Sequence, residues 1–279
     1  MAVRIVTDSA CDLSPELCAT LGIEVVSLSI RFGETEYQDR TELTVEDFWA
    51  KLPGSVQLPE TAAPSVGAFE ETFRRLADEG AEGIVCINLS SKMSATMQSA
   101  QLAAKALDGI CPIEVIDSKN ATMGLGLQVI HAARQANEGA DMATIVADAE
   151  ERRERIRVFA TVDTLEYLKK GGRLSGAQAL VGSMLSIKPI IEIANGEVTA
   201  AGKVRTRSKA LRFVADQAKS ADIEELCIMH SMASDLDSFT AMTAPYTPAG
   251  GALVATIGAV VGVHTGPGVA GLVWLERRA

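Results

Sequence analysis

Hydroxyl side chains crowd one short stretch of the sequence, Asn88-Leu89-Ser90-Ser91-Lys92-Met93-Ser94-Ala95-Thr96, between an apolar run and a helical pattern. Hydroxyls and free backbone N–H groups at the positive end of a helix dipole suit an anion. Ser94 has the ordinary alternative role of capping that helix. Two other segments carry groups able to meet the same anion. Val261-Gly262-Val263-His264-Thr265-Gly266-Pro267-Gly268 sets an imidazole in a glycine-rich loop, where a ligand can approach the backbone closely. Lys203-Val204-Arg205-Thr206 offers the Arg205 guanidinium, which pairs with carboxylate or phosphate in a forked geometry or is simply solvated.

Ser94, His264 and Asp8 can also be drawn as a serine hydrolase triad, an arrangement recognised by geometry and not by sequence order. The G-x-S-x-G elbow that exposes such a nucleophile is missing, as are G-x-x-x-x-G-K-[ST] and H-E-x-x-H. Gly124-Leu125-Gly126 begins like a dinucleotide fingerprint but has Val129 at the third glycine position. His131, His230 and His264 are too scattered for a metal site, so neither metal nor cofactor is expected.

The 279 residues suggest two domains at about 150 residues each, with enough chain for a sizeable core. Hydrophobic residues make up 47% and charged residues 22%, which excludes a disordered or collagenous chain. A formal charge of −10 repels phosphate backbones, and 4% aromatic residues leave little for base stacking, so no nucleic-acid partner is expected. The five cysteines form no C-x-x-C pair and read as reduced thiols in a cytoplasm. The first residues lack the features of a signal peptide. No charged residue occurs between Gly250 and Leu275, yet Gly266-Pro267-Gly268 and other glycines interrupt the run. Two buried strands joined by a glycine-rich loop are expected there, without stable membrane insertion.

The elements that must hold these groups alternate between strand and helix through the first half. Strands are expected at 3–6, 23–30, 84–89 and 113–116. Ser14-Pro15-Glu16 supplies an N-cap with proline at the first helical position, and Gly22 supplies the stop. Thr44 and Asp47 start a helix in capping-box fashion, with Asp where Glu or Gln is preferred. Pro64-Ser65 opens another, whose Val66, Phe69, Phe73 and Leu76 share one face. Ser94 opens a further helix, and one more covers about 125–137. After the charged segment 150–157, Asn195-Gly196 marks a hairpin between strands at 187–193 and 198–204. The expected fold class is α/β: an N-terminal parallel-sheet α/β/α domain over 1–155 and a C-terminal mixed-sheet α/β domain over 156–279.

Together these segments resemble the DegV family, whose characterised members are bacterial fatty-acid-binding proteins of the FakB type. The likeness runs over nearly the whole chain, and its ordered motifs are specific as a set. They are Val6-Thr7-Asp8-Ser9, Thr61-Ala62-Ala63-Pro64-Ser65, Ser90 to Thr96, Asp117-Ser118-Lys119, Gly124-Leu125-Gly126, Tyr167-Leu168-Lys169-Lys170-Gly171-Gly172-Arg173, Ile187-Lys188-Pro189-Ile190, Lys203-Val204-Arg205-Thr206 and His264-Thr265-Gly266-Pro267-Gly268.

The resemblance implies two α/β domains with a long-chain fatty acid in an interior tunnel. It assigns the carboxylate to the hydroxyls of Thr61 and Ser94, with Arg205 and His264 completing the polar end. It implies presentation of the bound acid to a separate fatty acid kinase subunit that makes acyl phosphate, the chain itself being non-catalytic. The basic segment holding Lys169, Lys170 and Arg173 is the expected docking surface, since a local positive cluster on an acidic protein steers a partner; a solvated turn is the alternative. The chain departs from the family where Thr61-Ala62-Ala63-Pro64 replaces Thr-Ser-Gln-Pro and Ser94-Ala95-Thr96 replaces Ser-Gly-Thr, so chain-type preference does not carry over. An acyl-directed serine hydrolase and a carrier of another anionic lipid stand as the competing functions.

Overall fold

The computed structural model describes residues 3–174, 177 and 187–278. Strand β1 (Val3–Asp8) runs into a short turn and helix α1 (Pro15–Leu21). The Ser14 hydroxyl accepts from Leu17 N, and Gly22 closes the helix at φ 68, as the cap chemistry requires. Strand β2 (Ile23–Val26) then pairs parallel to β1.

Instead of one strand over 23–30, the chain breaks after β2 and starts β3 (Ser29–Phe32), followed by β4 (Thr35–Gln38). Leu28 causes the break: its N–H donates to Ser9 Oγ and its carbonyl accepts from Asp39 N, so neither group is free for the parallel ladder. Helix α2 (Val45–Lys51) is capped by Thr44, and β5 (Glu60–Ala62) completes a small antiparallel sheet of order β4-β3-β5. This sheet was not foreseen, and it carries Thr61 opposite Ile30.

Helix α3 (Val66–Asp78), β6 (Gly83–Asn88), α4 (Thr96–Ala106) and β7 (Ile113–Asp117) finish a parallel sheet of order β2-β1-β6-β7. Every residue of β6 is buried because the sheet is covered on both sides. Phe69, Phe73 and Leu76 of α3 join Ala100 and Ala103 of α4 in one core cluster. On the other face lies α5 (Met123–Asn137), most of whose residues are buried. Its Gly124 and Gly126 serve packing: a β-carbon at Gly126 would come 2.6 Å from the Cys11 carbonyl oxygen.

Helix α6 (Met142–Arg155) leads directly into β8 (Ile156–Thr161), the first strand of the second large sheet. The chain continues through α7 (Glu166–Lys170), β9 (Lys188–Ala194), β10 (Glu197–Val204), α8 (Arg207–Gln217), β11 (Ile223–His230), α9 (Leu236–Thr243), β12 (Ala252–Thr256), α10 (Ala259–Thr265) and β13 (Ala270–Glu276). The sheet order is β10-β9-β8-β13-β11-β12, mixed in direction. Asn195 and Gly196 take φ values of 52° and 82°, the tight hairpin turn their types favour. One hydrophobic cluster contains residues from both large sheets, including Ile5, Val85, Val158 and Val273.

The uncharged stretch after Gly250 departs from its expected form. Its first strand, β12, is an exposed sheet edge, and His264 lies on a helix and not in a loop. Gly262 sits inside that helix because a β-carbon there would press within 2.6 Å of the Phe48 ring and 2.8 Å of Trp49. Among the described residues no helix is long and apolar enough to cross a membrane.

Candidate functional site

A cavity of about 810 Å³, counting its open mouth, lies where the two halves of the chain meet. Its walls are almost wholly apolar: Leu28 and Leu89 come from the first half, and Ala160, Ile191, Met229 and Val260 from the second. Polar residues interrupt this lining: Thr61, Ser94, Arg173 and His264, with Thr122, Glu192 and Thr265 besides. Thr61, Arg173 and His264 also line an outer polar cleft with Glu60 and Lys170. The apolar cavity therefore has a polar end that faces outward.

Each of these groups is held by a different element. Thr61 projects from β5, and its Oγ1 lies 2.9 Å from Nε2 of His264 on α10. The His264 ring is seated against Gly171, where a β-carbon would lie 2.2 Å from Nδ1. Nδ1 itself is buried and has no hydrogen-bond partner among the described residues. Burial, aided by the nearby Arg173 cation, pushes the imidazole down to about 4, so the ring is neutral at neutral pH.

Arg173 follows the turn after α7. Its Nε donates to the Met93 carbonyl at 3.1 Å and its Nη1 to the Gly171 carbonyl at 2.5 Å. These neutral acceptors orient the guanidinium without cancelling its charge, and no carboxylate pairs with Arg173 among the described residues. A half-buried cation beside a neutral imidazole and two hydroxyls is a ready receptor for one anionic group.

Ser94 lies just before α4. The helix cap is Ala95, with no side-chain cap bond, while Ser94 Oγ accepts from Thr96 N at 3.3 Å and sits 2.8 Å from Thr96 Oγ1. The serine thus faces the cavity from outside the helix proper. Thr61, Ser94 and His264 are brought together as a set. Arg205 is not: it is exposed at the bend before α8 and lines neither the cavity nor the outer cleft. Lys169 and Lys170 are exposed on α7, where Lys170 pairs with Glu166 at 2.6 Å, whereas Arg173 turns inward.

The drawn triad does not assemble. Asp8 is fully buried, accepting from Leu89 N at 2.8 Å, Asn88 Nδ2 at 3.1 Å and Ala10 N at 3.1 Å, and its burial raises it to about 6. It orders the strand ends and does not orient His264. Sequence reasoning placed Arg173 in a docking role and missed its place in the cavity; no local signal in Lys169-Lys170-Gly171-Gly172-Arg173 separates Arg173 from its neighbours.

Known proteins share this architecture end to end. The DegV family model matches residues 2–277. A DegV domain-containing protein of Halalkalibacterium halodurans is 40% identical over 281 residues, covering 98% of each chain. A solved DegV family protein of Thermus thermophilus, described by its fatty acid binding, aligns with a TM-score of 0.92 at 33% identity over 99% of this chain and 100% of its own. A stearic acid-binding protein of Eubacterium ventriosum aligns with a TM-score of 0.88 at 28% identity over 98% of both chains. With the match running through both large sheets and every segment that lines the cavity, the chain belongs to the DegV family.

Proposed function

We propose that this chain binds a long-chain fatty acid in the apolar cavity and presents its carboxylate to a separate kinase subunit, which converts it to acyl phosphate. One observation carries the binding half: a guanidinium without an acidic partner, a neutral imidazole and two hydroxyls converge at one end of a mostly apolar cavity. Burying about a dozen methylenes at ~0.8 kcal/mol each favours binding by on the order of 10 kcal/mol. Desolvating a carboxylate costs several kcal/mol unless donors meet it. Arg173, Thr61 and Ser94 are those donors. The fatty acid binding of the Thermus thermophilus and Eubacterium ventriosum relatives supports the same reading.

The presentation half rests on the outer cleft, which exposes the polar end beside Lys170, and on the lack of any phosphate-cradling motif in the sequence. Lys169 and Lys170 supply the positive surface for the kinase. Denaturing extraction of purified protein followed by mass spectrometry should recover intact fatty acid without covalent attachment. Protein that is empty and also ignores added fatty acids refutes the binding half, and another anionic lipid in the extract replaces the ligand. With fatty acid, Mg²⁺-ATP and a cognate kinase subunit, acyl phosphate should form; product without the kinase, or full activity after Lys169→Glu with Lys170→Glu, refutes the presentation or docking role respectively.

A further inference from the structure

The cavity has a second thin wall. Val158, Glu192 and Ile193 line both the cavity and a surface crevice that also holds Lys119, Arg153 and Arg157. None of the three belongs to the polar end, whose residues Thr61, Arg173 and His264 face the outer cleft instead. These shared residues separate the two, and their side chains can be assigned from the strand alternation.

Phe159 on β8 and Glu192 on β9 make the last pair of their antiparallel ladder, and Val158 and Ile193 are the residues just beyond it. By strand alternation Phe159 and Glu192 point to the opposite face. There Phe159 stacks on Trp274, and Thr199 Oγ1 donates to Glu192 at 3.3 Å. The barrier between cavity and crevice is therefore built from Val158 and Ile193. Val158 is braced from behind: a β-carbon at Gly124 would come within 2.8 Å of its Cγ2, so it has no room to retreat.

We propose that Val158 and Ile193 form the tail stop of the cavity and set the longest acyl chain it accepts. This rests on the fatty-acid reading above. Each methylene inside the cavity adds binding energy, whereas a carbon forced past the partition enters a crevice of charged side chains and gains nothing. Affinity should climb with chain length and then stop climbing at the partition.

The test titrates the delipidated full chain with laurate, myristate, palmitate, stearate and arachidate. Relative to the unaltered protein, Val158→Ala should raise the ratio of arachidate to palmitate affinity by about tenfold, corresponding to two more buried methylenes. Laurate, the shortest acid of the series, should be affected least, its affinity holding within about twofold. Ile193→Ala should shift the profile the same way, and Val158→Leu should shift it toward shorter chains, so misfolding of one variant does not decide the matter. An unmoved profile in the folded variants overturns the tail stop while leaving fatty-acid binding intact. No binding of any acid by the unaltered protein overturns the fatty-acid reading and the tail stop with it.

Discussion

At the scale of single residues, two arginines separate what charge alone does from what position does. Arg173 is oriented by the Met93 and Gly171 carbonyls at the polar end of the cavity, whereas Arg205 stands exposed outside it. A hydrogen bond to a charged group contributes about 1.5–3 kcal/mol, so Arg173→Met should weaken fatty-acid binding by roughly 10- to 100-fold. The methionine keeps the apolar stem and removes only the charge and donors. Arg205→Met should leave the affinity unchanged. Isothermal titration of both variants with palmitate decides the point: equal losses, or a loss at Arg205 alone, would return the head-group role to Arg205. The neutral imidazole matters to the same balance, because a protonated His264 beside Arg173 would place two cations in one poorly solvated pocket.

At the scale of elements, the turn between α7 and Arg173 brings two adjacent glycines into different roles. Gly171 has an ordinary φ but leaves no space, since a β-carbon would reach 2.2 Å from His264 Nδ1. Gly172 has nothing within 4 Å but sits at φ +71. Gly171→Ala should therefore displace the imidazole from Thr61 and weaken ligand binding, while Gly172→Ala should cost about 1–2 kcal/mol of stability and leave binding intact. Thermal melts and palmitate titrations on the same two variants separate these outcomes, and identical behaviour of the pair would refute the packing account. The contrast also explains what was legible in the sequence. Ser14, Thr44 and Ser65 cap their helices as expected, and Asn195-Gly196 makes its hairpin, because those signals act within a few residues. The α10 helix was hidden because its glycines answer to Asp12, Phe48 and Trp49, distant in sequence. The place of Arg173 in the cavity was hidden for the same reason: its inward turn is fixed by a carbonyl 80 residues away. Ser94 and His264 stood out by their local pattern and Thr61 only through family resemblance, and all three line the cavity.

Across the whole molecule, ionic clamps and one buried carboxyl tie the first half of the chain to the second. Arg152 and Arg155 on α6 reach Glu224, and His131 and Arg134 on α5 reach Glu225, both on β11. Asp12 does the same from inside, accepting from Gly258 N at 2.9 Å, at the start of the helix that carries His264. Burial raises Asp12 to about 6, although the Arg40 guanidinium 3.8 Å away opposes the rise. Its unfolded value is about 3.9, so the fold prefers the protonated form. The stability this confers is fully present below about pH 4 and is lost as pH rises through about 6, a swing of about 3 kcal/mol for a shift of this size. Asn at this position keeps an oxygen for the Gly258 bond and tolerates the left-handed backbone of Asp12, φ 53, but it cannot ionise. Other groups act in the opposite sense. His264, pushed down to about 4, contributes stability above about pH 6.5 that is lost on acidification. Burial raises Glu225, but His131 and Arg134 outweigh it and hold the carboxylate at about 2, so its contribution also fades in acid. Both proteins carry these groups, so they cancel in a comparison of Asp12→Asn with the unaltered chain. Urea unfolding between about pH 4 and pH 7 should show the variant at its greatest disadvantage at the acid end, with the gap narrowing by about 3 kcal/mol toward neutrality. Parallel stability curves would mean that Asp12 does not titrate in the fold, and that its bond to the base of α10 is made by a carboxylate throughout.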